Sequence, residues 1–331
     1  MREPVLACGG VEREVFSPAR WLPGRHLRTF VPSLMAAPRP DGLDEILDVS
    51  VGEGSAVRVL LNHPAGAARG TLLLVHGLGG SADSPYVRRT ACLALARGWV
   101  VARMNLRNCG GTEALARTLY NGGQWNDVGR VLEDLDAAAL PRPIAAAGFS
   151  LGGNLVLLFA GRAAEGSAAD AVAGVNPPVD LDACCHALER PSNFPYQVHF
   201  SRLLCGQIRR VRSVRPLPGP EATFWRVRTV RRFDRFFTAP DAGYRSAEAY
   251  YAASSAGPHL TSVRVPALIL SAADDPFVPV ETFAPYRSAP GARLSFAHPA
   301  KGGHLGYWQS HEPRFWAGKA VLDFFEDVLR F

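Results

Sequence analysis

The residues best suited to chemistry lie in the pentapeptide Gly148-Phe149-Ser150-Leu151-Gly152. A serine with a glycine two positions away on each side is typical of a nucleophile elbow when a strand precedes it and a helix follows it. The apolar run 143–147 predicts that strand, and residues 151–162 predict that helix. We therefore expect a tight turn that presents Ser150 as a nucleophile. An ordinary glycine-rich turn is the alternative interpretation.

A serine hydroxyl is a weak nucleophile and needs a base, which an acid in turn orients. In α/β sheets with this turn, the base follows the last strand. The predicted strand 292–296 precedes Gly302-Gly303-His304, so we expect His304 to be the base. His298 is its main rival, but a histidine next to two glycines in a loop is freer to reach the serine.

The acid is expected between the serine and the histidine, after a late strand. The predicted strand 267–270 is followed by the adjacent aspartates Asp274 and Asp275. Asp275 is preferred because it begins the run Asp-Pro-Phe-Val-Pro, whose last proline, Pro279, can start the next element. Asp274 is the alternative acid.

Acyl transfer places negative charge on an oxygen, which two backbone N–H groups commonly hold. The amide of Leu151, directly after the nucleophile, is the first expected donor. The second is expected from the loop His76-Gly77-Leu78-Gly79-Gly80, after the predicted strand 71–75, and Leu78 is the predicted donor. A phosphate-binding turn is the competing interpretation. The loop lacks both the Gly-Lys-Ser/Thr ending of a P-loop and the Gly-x-Gly-x-x-Gly of a dinucleotide site.

Predicted strands and helices alternate along most of the chain. Apolar runs predict strands at 71–75, 99–104, 143–147, 171–175, 267–270 and 292–296, and helical spacing predicts helices at 86–97, 125–135, 151–162 and 316–329. Such alternation predicts an α/β fold with a mostly parallel, twisted sheet flanked by helices on both faces.

The alternation stops between residues 177 and 249, where the sequence is rich in proline and arginine with a helical patch at 200–211. We interpret this segment as an inserted lid over the carboxyl edge of the sheet, where open α/β sheets bind ligands. Residues 1–176 and 250–331 then form the core. Residues 1–50 are predicted to be an irregular leader packed on that core.

The composition is that of a globular protein, with 331 residues, 47% of them hydrophobic and 20% charged. No run approaches the roughly 18 apolar residues of a membrane helix, and the N-terminus lacks the apolar region of a signal peptide. The six cysteines form neither a disulfide framework nor paired zinc knuckles. We therefore expect a cytoplasmic protein with free thiols, no metal and no cofactor.

The net charge of +6 is concentrated in part of the predicted lid. Residues 201–235 contain ten arginines and only two acids, Glu221 and Asp234. We expect a solvated helix face there, with weak contact to anionic lipid or a membrane surface as the alternative. Nucleic-acid binding is not expected, since no recognition module or aromatic stacking platform accompanies the charge.

These motifs together resemble the YheT-like branch of the α/β-hydrolase superfamily, which includes animal abhydrolase-domain lipases and plant embryogenesis-associated relatives. The likeness runs nearly end to end. Its segments are His26-Leu27-Arg28-Thr29, His76-Gly77-Leu78 through Ser84-Pro85-Tyr86, 105–111, Gly148 to Asn154, Phe233-Asp234 to Tyr250-Tyr251, and Asp274-Asp275-Pro276-Phe277 to Gly302-Gly303-His304-Leu305-Gly306. Two positions depart from the family pattern: Arg28 stands where glutamine is usual, and Asn108 where glycine is usual.

The resemblance implies an α/β-hydrolase fold and a carboxylic-ester hydrolase of the esterase or lipase type. It implies lipid-like or short acyl esters as substrates and Ser150, Asp275 and His304 as the catalytic triad. An acyltransferase that uses the same triad is an alternative. A ligand-binding homologue without activity is another.

Overall fold

The computed structural model describes residues 16–42, 45–163, 166–217, 227–288 and 291–330. Within these ranges one eight-stranded sheet has the order β1-β2-β4-β3-β5-β6-β7-β8. The strands are β1 Glu45–Gly52, β2 Ser55–Asn62, β3 Gly70–Val75, β4 Trp99–Met104, β5 Ile144–Phe149, β6 Ala171–Val175, β7 Ala267–Leu270 and β8 Leu294–Ala297. Strands β3 to β8 are parallel, whereas β1 and β2 join antiparallel at one edge.

Helices connect the parallel strands and cover the sheet. They are α1 Gly24–Leu34, α2 Pro85–Ala96, α3 Trp125–Ala137, α4 Leu151–Arg162, α5 Leu181–Leu188, α6 Phe194–Arg212, α7 Val230–Phe233, α8 Ala239–Asp241, α9 Ala247–Ser254 and α10 Trp316–Leu329. Short 3₁₀ turns at 191–193, 257–262 and 280–286 and a π-helical turn at Asp234–Thr238 complete the pattern. None of the helices in these ranges is long and apolar enough to cross a bilayer.

The two faces of the sheet each carry an apolar cluster, so β5 is buried along its whole length. Ala146 packs in the cluster that includes α3 and α4, and its neighbours Ala145 and Ala147 pack in the cluster that includes α2 and α10. A strand buried on both faces is expected to be apolar throughout rather than alternating. The predicted α/β fold with a mostly parallel sheet between helices is confirmed.

The prediction of an irregular leader over residues 1–50 is wrong for its described part, and residues 1–15 and 43–44 lie outside the described ranges. The sequence does not predict helix α1, because Pro23 gives it no side-chain cap and Pro32 lies inside it. The β1–β2 hairpin was missed because its turn residues Glu53 and Gly54, both with positive φ, lack the usual Asn-Gly signature.

The stretch between β6 and β7 is helical, with α5 to α9 in the described part of the predicted lid segment 177–249. Helix α6 includes the predicted helical patch, and its residues Tyr196, Phe200 and Leu203 line a cavity that also contains Ser150. Helix α6 therefore lies close to Ser150, at the carboxyl end of β5. Helix α9 continues through the predicted boundary at residue 249.

Candidate active site

Ser150 lies between β5 and α4 with φ +52° and ψ −122°. Such a backbone conformation costs a serine about 1–3 kcal/mol. Its amide donates to the Val175 carbonyl at 2.8 Å. A Cβ on Gly148 would lie 2.1 Å from the Gly152 carbonyl oxygen, and one on Gly152 would lie 2.4 Å from the Val75 oxygen. Since real Cβ atoms never approach so closely, both positions of the turn require glycine.

A continuous chain of hydrogen bonds runs from the serine to a buried carboxylate. Ser150 Oγ lies 2.9 Å from His304 Nε2, and His304 Nδ1 lies 2.8 Å from Asp275 Oδ2. A carboxylate can only accept a hydrogen bond, so Nδ1 carries the imidazole proton and donates a hydrogen bond to Asp275. Nε2 is then free to accept the serine proton. The structure thus brings together Ser150, His304 and Asp275 from three separate loops.

Asp275 is fully enclosed, with none of its side chain exposed. Its Oδ1 accepts from the amides of Phe277 at 2.7 Å and Val278 at 3.1 Å, and its Oδ2 also accepts from Asn176 Nδ2. These donors fix the plane of the carboxylate. Asn176, which follows β6, was not predicted. Its one sequence signal is a polar side chain at the carboxyl end of a strand.

Asp274 and His298, the two alternative site residues, make other contacts. Asp274 forms an ion pair with Arg28 at 3.0 Å and accepts from the Gly303 amide at 2.8 Å. His298 donates from Nδ1 to the Ser271 carbonyl at 3.0 Å, and burial lowers its pKa. In the described structure neither side chain hydrogen bonds to Ser150 or to His304.

The amides of the two predicted oxyanion donors, Leu78 and Leu151, are both available. The amides on either side of Leu78 are occupied, because Gly77 donates to the Tyr86 hydroxyl and Gly79 to the Tyr120 hydroxyl, each at 2.9 Å. Leu151 is the first residue of α4. The first amides of a helix have no acceptor within the helix. Within the described residues neither the Leu78 nor the Leu151 amide has a hydrogen-bond acceptor.

His76 holds the loop that carries Leu78. It is fully buried, and burial lowers its pKa to about 4. The neutral imidazole donates from Nδ1 to the Gly77 carbonyl at 2.8 Å and accepts at Nε2 from the Leu106 amide at 3.1 Å. This ring therefore ties the loop after β3 to the loop after β4. It is a structural histidine, since both of its nitrogens are occupied.

A cavity of about 210 Å³ opens above Ser150 and His304. Its walls are mainly apolar and come from α1, α2, α6 and the loops after β3, β7 and β8. Wall residues include Leu34, Leu203 and Phe277. Within the described ranges no group of three or more His, Cys, Asp or Glu side chains is arranged to hold a metal ion. The nucleophile therefore lies at the floor of an apolar cleft.

Comparisons with known proteins identify the family of this chain. Residues 70–310 match the family model for the alpha/beta hydrolase fold. The chain belongs to the α/β-hydrolase family. It is 30% identical to "Putative esterase YheT" of Escherichia coli (strain K12), an alignment that covers 95% of this chain and 94% of that protein. The resemblance to the YheT-like branch is thereby confirmed.

Two further proteins similar to this α/β-hydrolase extend the comparison. Phospholipase ABHD3 of Mus musculus is 27% identical over 75% of this chain and 61% of its own length, so the chain spans less than two thirds of that relative. The esterase Pf2001 of Pyrococcus furiosus superimposes with a TM-score of 0.60 at 15% identity, covering 88% of this chain and 99% of the other, which shows the shared fold. The chain is thus an esterase- or lipase-like hydrolase.

The two departures of this hydrolase from the family pattern have structural reasons. Arg28 pairs with Asp274, as described above. Asn108 has φ +59°, a left-handed conformation that asparagine tolerates better than most residues. Its side chain donates to the carbonyls of Glu113 and Ala116 at 3.2 and 3.1 Å, which fixes the loop that glycine would leave free.

Several arginines of the predicted lid in this hydrolase are engaged within the protein. Arg210 pairs with Glu113 at 2.7 Å and Arg231 with Asp182 at 2.8 Å. These pairs reduce the charge available to an external partner. Two residues of the predicted charge cluster lie outside the described residues, namely Glu221 and Arg226.

Proposed function

We propose that this hydrolase cleaves carboxylic esters through an acyl-enzyme intermediate, with Ser150 as nucleophile, His304 as general base and Asp275 as the acid that orients it. The hydrogen-bond chain Ser150 Oγ–His304 Nε2–Asp275 Oδ2 carries this proposal, with its distances of 2.9 and 2.8 Å. A base within 3.2 Å of the nucleophile, itself held by a third group, is the arrangement that serine catalysis requires.

In the first half-reaction Ser150 Oγ attacks the ester carbonyl carbon while its proton passes to His304 Nε2. The imidazolium that forms is stabilised by Asp275, which keeps its own negative charge. The carbonyl oxygen becomes an oxyanion, to which the amides of Leu78 and Leu151 donate hydrogen bonds. Collapse of this intermediate expels the alcohol, which takes the proton from Nε2, and leaves an acyl ester on Ser150.

In the second half-reaction water replaces the alcohol. His304 Nε2 removes a proton from water as its oxygen attacks the acyl carbon, and the same two amides hold the second oxyanion. Breaking the bond to Ser150 Oγ returns the proton to the serine and releases the carboxylic acid. Both halves use one histidine that alternates between base and acid.

The size of the cavity favours, as substrates, esters of short acyl groups or lipid-like esters that keep most of their acyl chain outside the cavity. Its volume is about 210 Å³, and a cavity of about 150 Å³ holds benzene. The cavity walls include Leu34, Phe200 and Leu203, so the part of the substrate that enters is apolar.

The proposal is tested with p-nitrophenyl esters of increasing chain length and with a labelled fluorophosphonate. Ser150→Ala should lower kcat by about 10⁴- to 10⁶-fold and abolish labelling. Ser192→Ala, at an exposed serine in the 191–193 turn, is the matched control and should behave like the wild type. Retention of both activity and label in Ser150→Ala would contradict the proposed nucleophile.

A further inference from the structure

Helix α1 turns a row of apolar side chains toward solvent. Leu27, Phe30 and Leu34 are 46%, 48% and 70% exposed. Their spacing of three and four residues places them on one face of the helix. Isolated exposed leucines are ordinary on protein surfaces, but a contiguous apolar row marks an interaction site.

The opposite face of α1 is fixed to the core, so the helix cannot turn to bury this row. Thr29 Oγ1 accepts from the His304 amide at 2.9 Å, and Arg28 pairs with Asp274 at 3.0 Å. At the end of the helix Arg89 donates to the carbonyls of Pro32 at 3.0 Å and of Met35 at 2.7 Å. These bonds set the rotation of α1 about its axis and hold its apolar row outward.

The row is continuous with the mouth of the catalytic cleft. Phe30 and Leu34 line the cavity that contains Ser150 and His304, and so does Leu203 of α6, which is 37% exposed. An acyl chain longer than the 210 Å³ cavity must leave it past these side chains. The exposed row is thus where the rest of a long-chain substrate would lie.

Exposed cationic side chains lie close in sequence to the two helices that carry the row. Arg20 precedes α1, Arg39 follows it, and Arg202 is the neighbour of Leu203; all three arginines are exposed. None of the three has a carboxylate partner among the described residues. Each cation near an anionic lipid surface adds electrostatic attraction to that surface. The chain as a whole carries a net charge of +6, of the sign that such a surface attracts.

We propose that the exposed row Leu27, Phe30 and Leu34, with Leu203, docks this enzyme on the surface of an anionic lipid bilayer or aggregate. The apolar side chains enter the lipid, the flanking arginines meet the headgroups, and the cleft opens toward the lipid. A lipid ester then places only its carbonyl and the start of its chain in the cavity. This inference rests on the proposed ester hydrolysis, because it names the physical state of the substrate.

The test measures binding of the full chain to vesicles in the Ser150→Ala background, where no turnover alters the lipid. Vesicles of equal parts phosphatidylcholine and phosphatidylglycerol are compared with pure phosphatidylcholine. Leu27→Ser and Leu34→Ser should each weaken binding to the anionic vesicles by about tenfold. Ile46→Ser is the matched control, since Ile46 is 52% exposed on the edge strand β1, and it should bind as the parent does.

Hydrolysis of soluble p-nitrophenyl acetate separates this inference from the proposed function. Leu27 does not line the cavity, so Leu27→Ser should keep the wild-type rate on that ester while it loses vesicle binding. A wild type that binds vesicles but hydrolyses no ester would contradict the proposed function alone.

Three results would overturn the docking inference. The first is unchanged vesicle binding in both leucine variants, which would point to the arginine-rich lid instead. The second is a loss of vesicle binding in Ile46→Ser as large as that in the leucine variants. The third is a dimer in sedimentation that Leu27→Ser dissociates while vesicle binding is absent, because a second copy of the chain would then cover the row.

Discussion

Replacing Asp275 by asparagine tests the choice between the two adjacent aspartates. The amides of Phe277 and Val278 donate to Oδ1 at 2.7 and 3.1 Å, so the asparagine carbonyl oxygen must take that position. Its NH₂ group then faces Asn176 Nδ2 and His304 Nδ1, which both donate in the wild type. Two donors cannot bond to each other, so His304 is forced to carry its proton on Nε2 instead.

An imidazole protonated on Nε2 cannot accept the proton of Ser150, although the atoms stay in place. The same change of tautomer in a serine protease lowers kcat about 10⁴-fold. A factor of this size corresponds to about 5.4 kcal/mol of lost transition-state stabilisation. We therefore expect Asp275→Asn to fold normally and to lose about 10⁴ in kcat on p-nitrophenyl acetate, with little change in KM.

Asp274→Asn is the matched control one residue away. It removes the partly exposed ion pair with Arg28 but keeps an oxygen for the Gly303 amide. We expect a fall in unfolding free energy of about 1 kcal/mol and less than about a tenfold change in kcat. The reasoning is refuted if Asp275→Asn stays within tenfold of the wild type, or if Asp274→Asn suffers the larger loss.

Three further predictions concern groups outside the triad. Tyr86→Phe deprives the Gly77 amide of its acceptor, so kcat should fall about tenfold at constant KM in steady-state kinetics. Thr29→Val should reduce kcat similarly by loosening His304, while Thr29→Ser should retain activity. Burial raises the pKa of Asp234 from 3.8 to about 6. Between these two pH values the folded protein keeps a proton on Asp234 that the unfolded chain has released. The unfolding free energy of the wild type should therefore fall by about 3 kcal/mol as pH rises from about 4 to about 6. Urea titrations of Asp234→Asn should not show this fall.

The parallel sheet and the nucleophile turn could be predicted because their causes are local in sequence. Strands buried on both faces must be apolar throughout, and β5 meets this condition within six residues. The turn is too tight for a side chain at Gly148 or Gly152, and a helix must begin directly after Ser150. Strand β8 begins two residues later and ends one residue later than predicted, since its side chains are only partly buried and its apolar signal is weak.

The contacts that discriminate among candidate residues could not be predicted, because their causes are distant in sequence. Asp274 and Asp275 are adjacent, and their different environments come from Arg28, 246 residues from Asp274, and from Asn176, 99 residues from Asp275. Tyr120, whose hydroxyl accepts from the Gly79 amide, lies 41 residues beyond the loop that it supports. Neither spacing nor residue type indicates such pairs.

Helix α1 shows why the least predictable element is also part of the site. It has no side-chain cap and an internal proline, so its helical form depends on tertiary contacts more than on its own sequence. Those contacts are with the loop of His304: a Cβ on Gly303 would lie 2.7 Å from Thr29 Oγ1, and one on Gly306 would lie 2.1 Å from the Arg28 carbonyl oxygen. These glycines permit a close approach between α1 and the loop of His304. The same contacts therefore stabilise the helix and orient the base. The folding of α1 and the positioning of His304 are therefore coupled. The apolar row of α1 faces outward because the opposite face of the helix contacts the loop of His304.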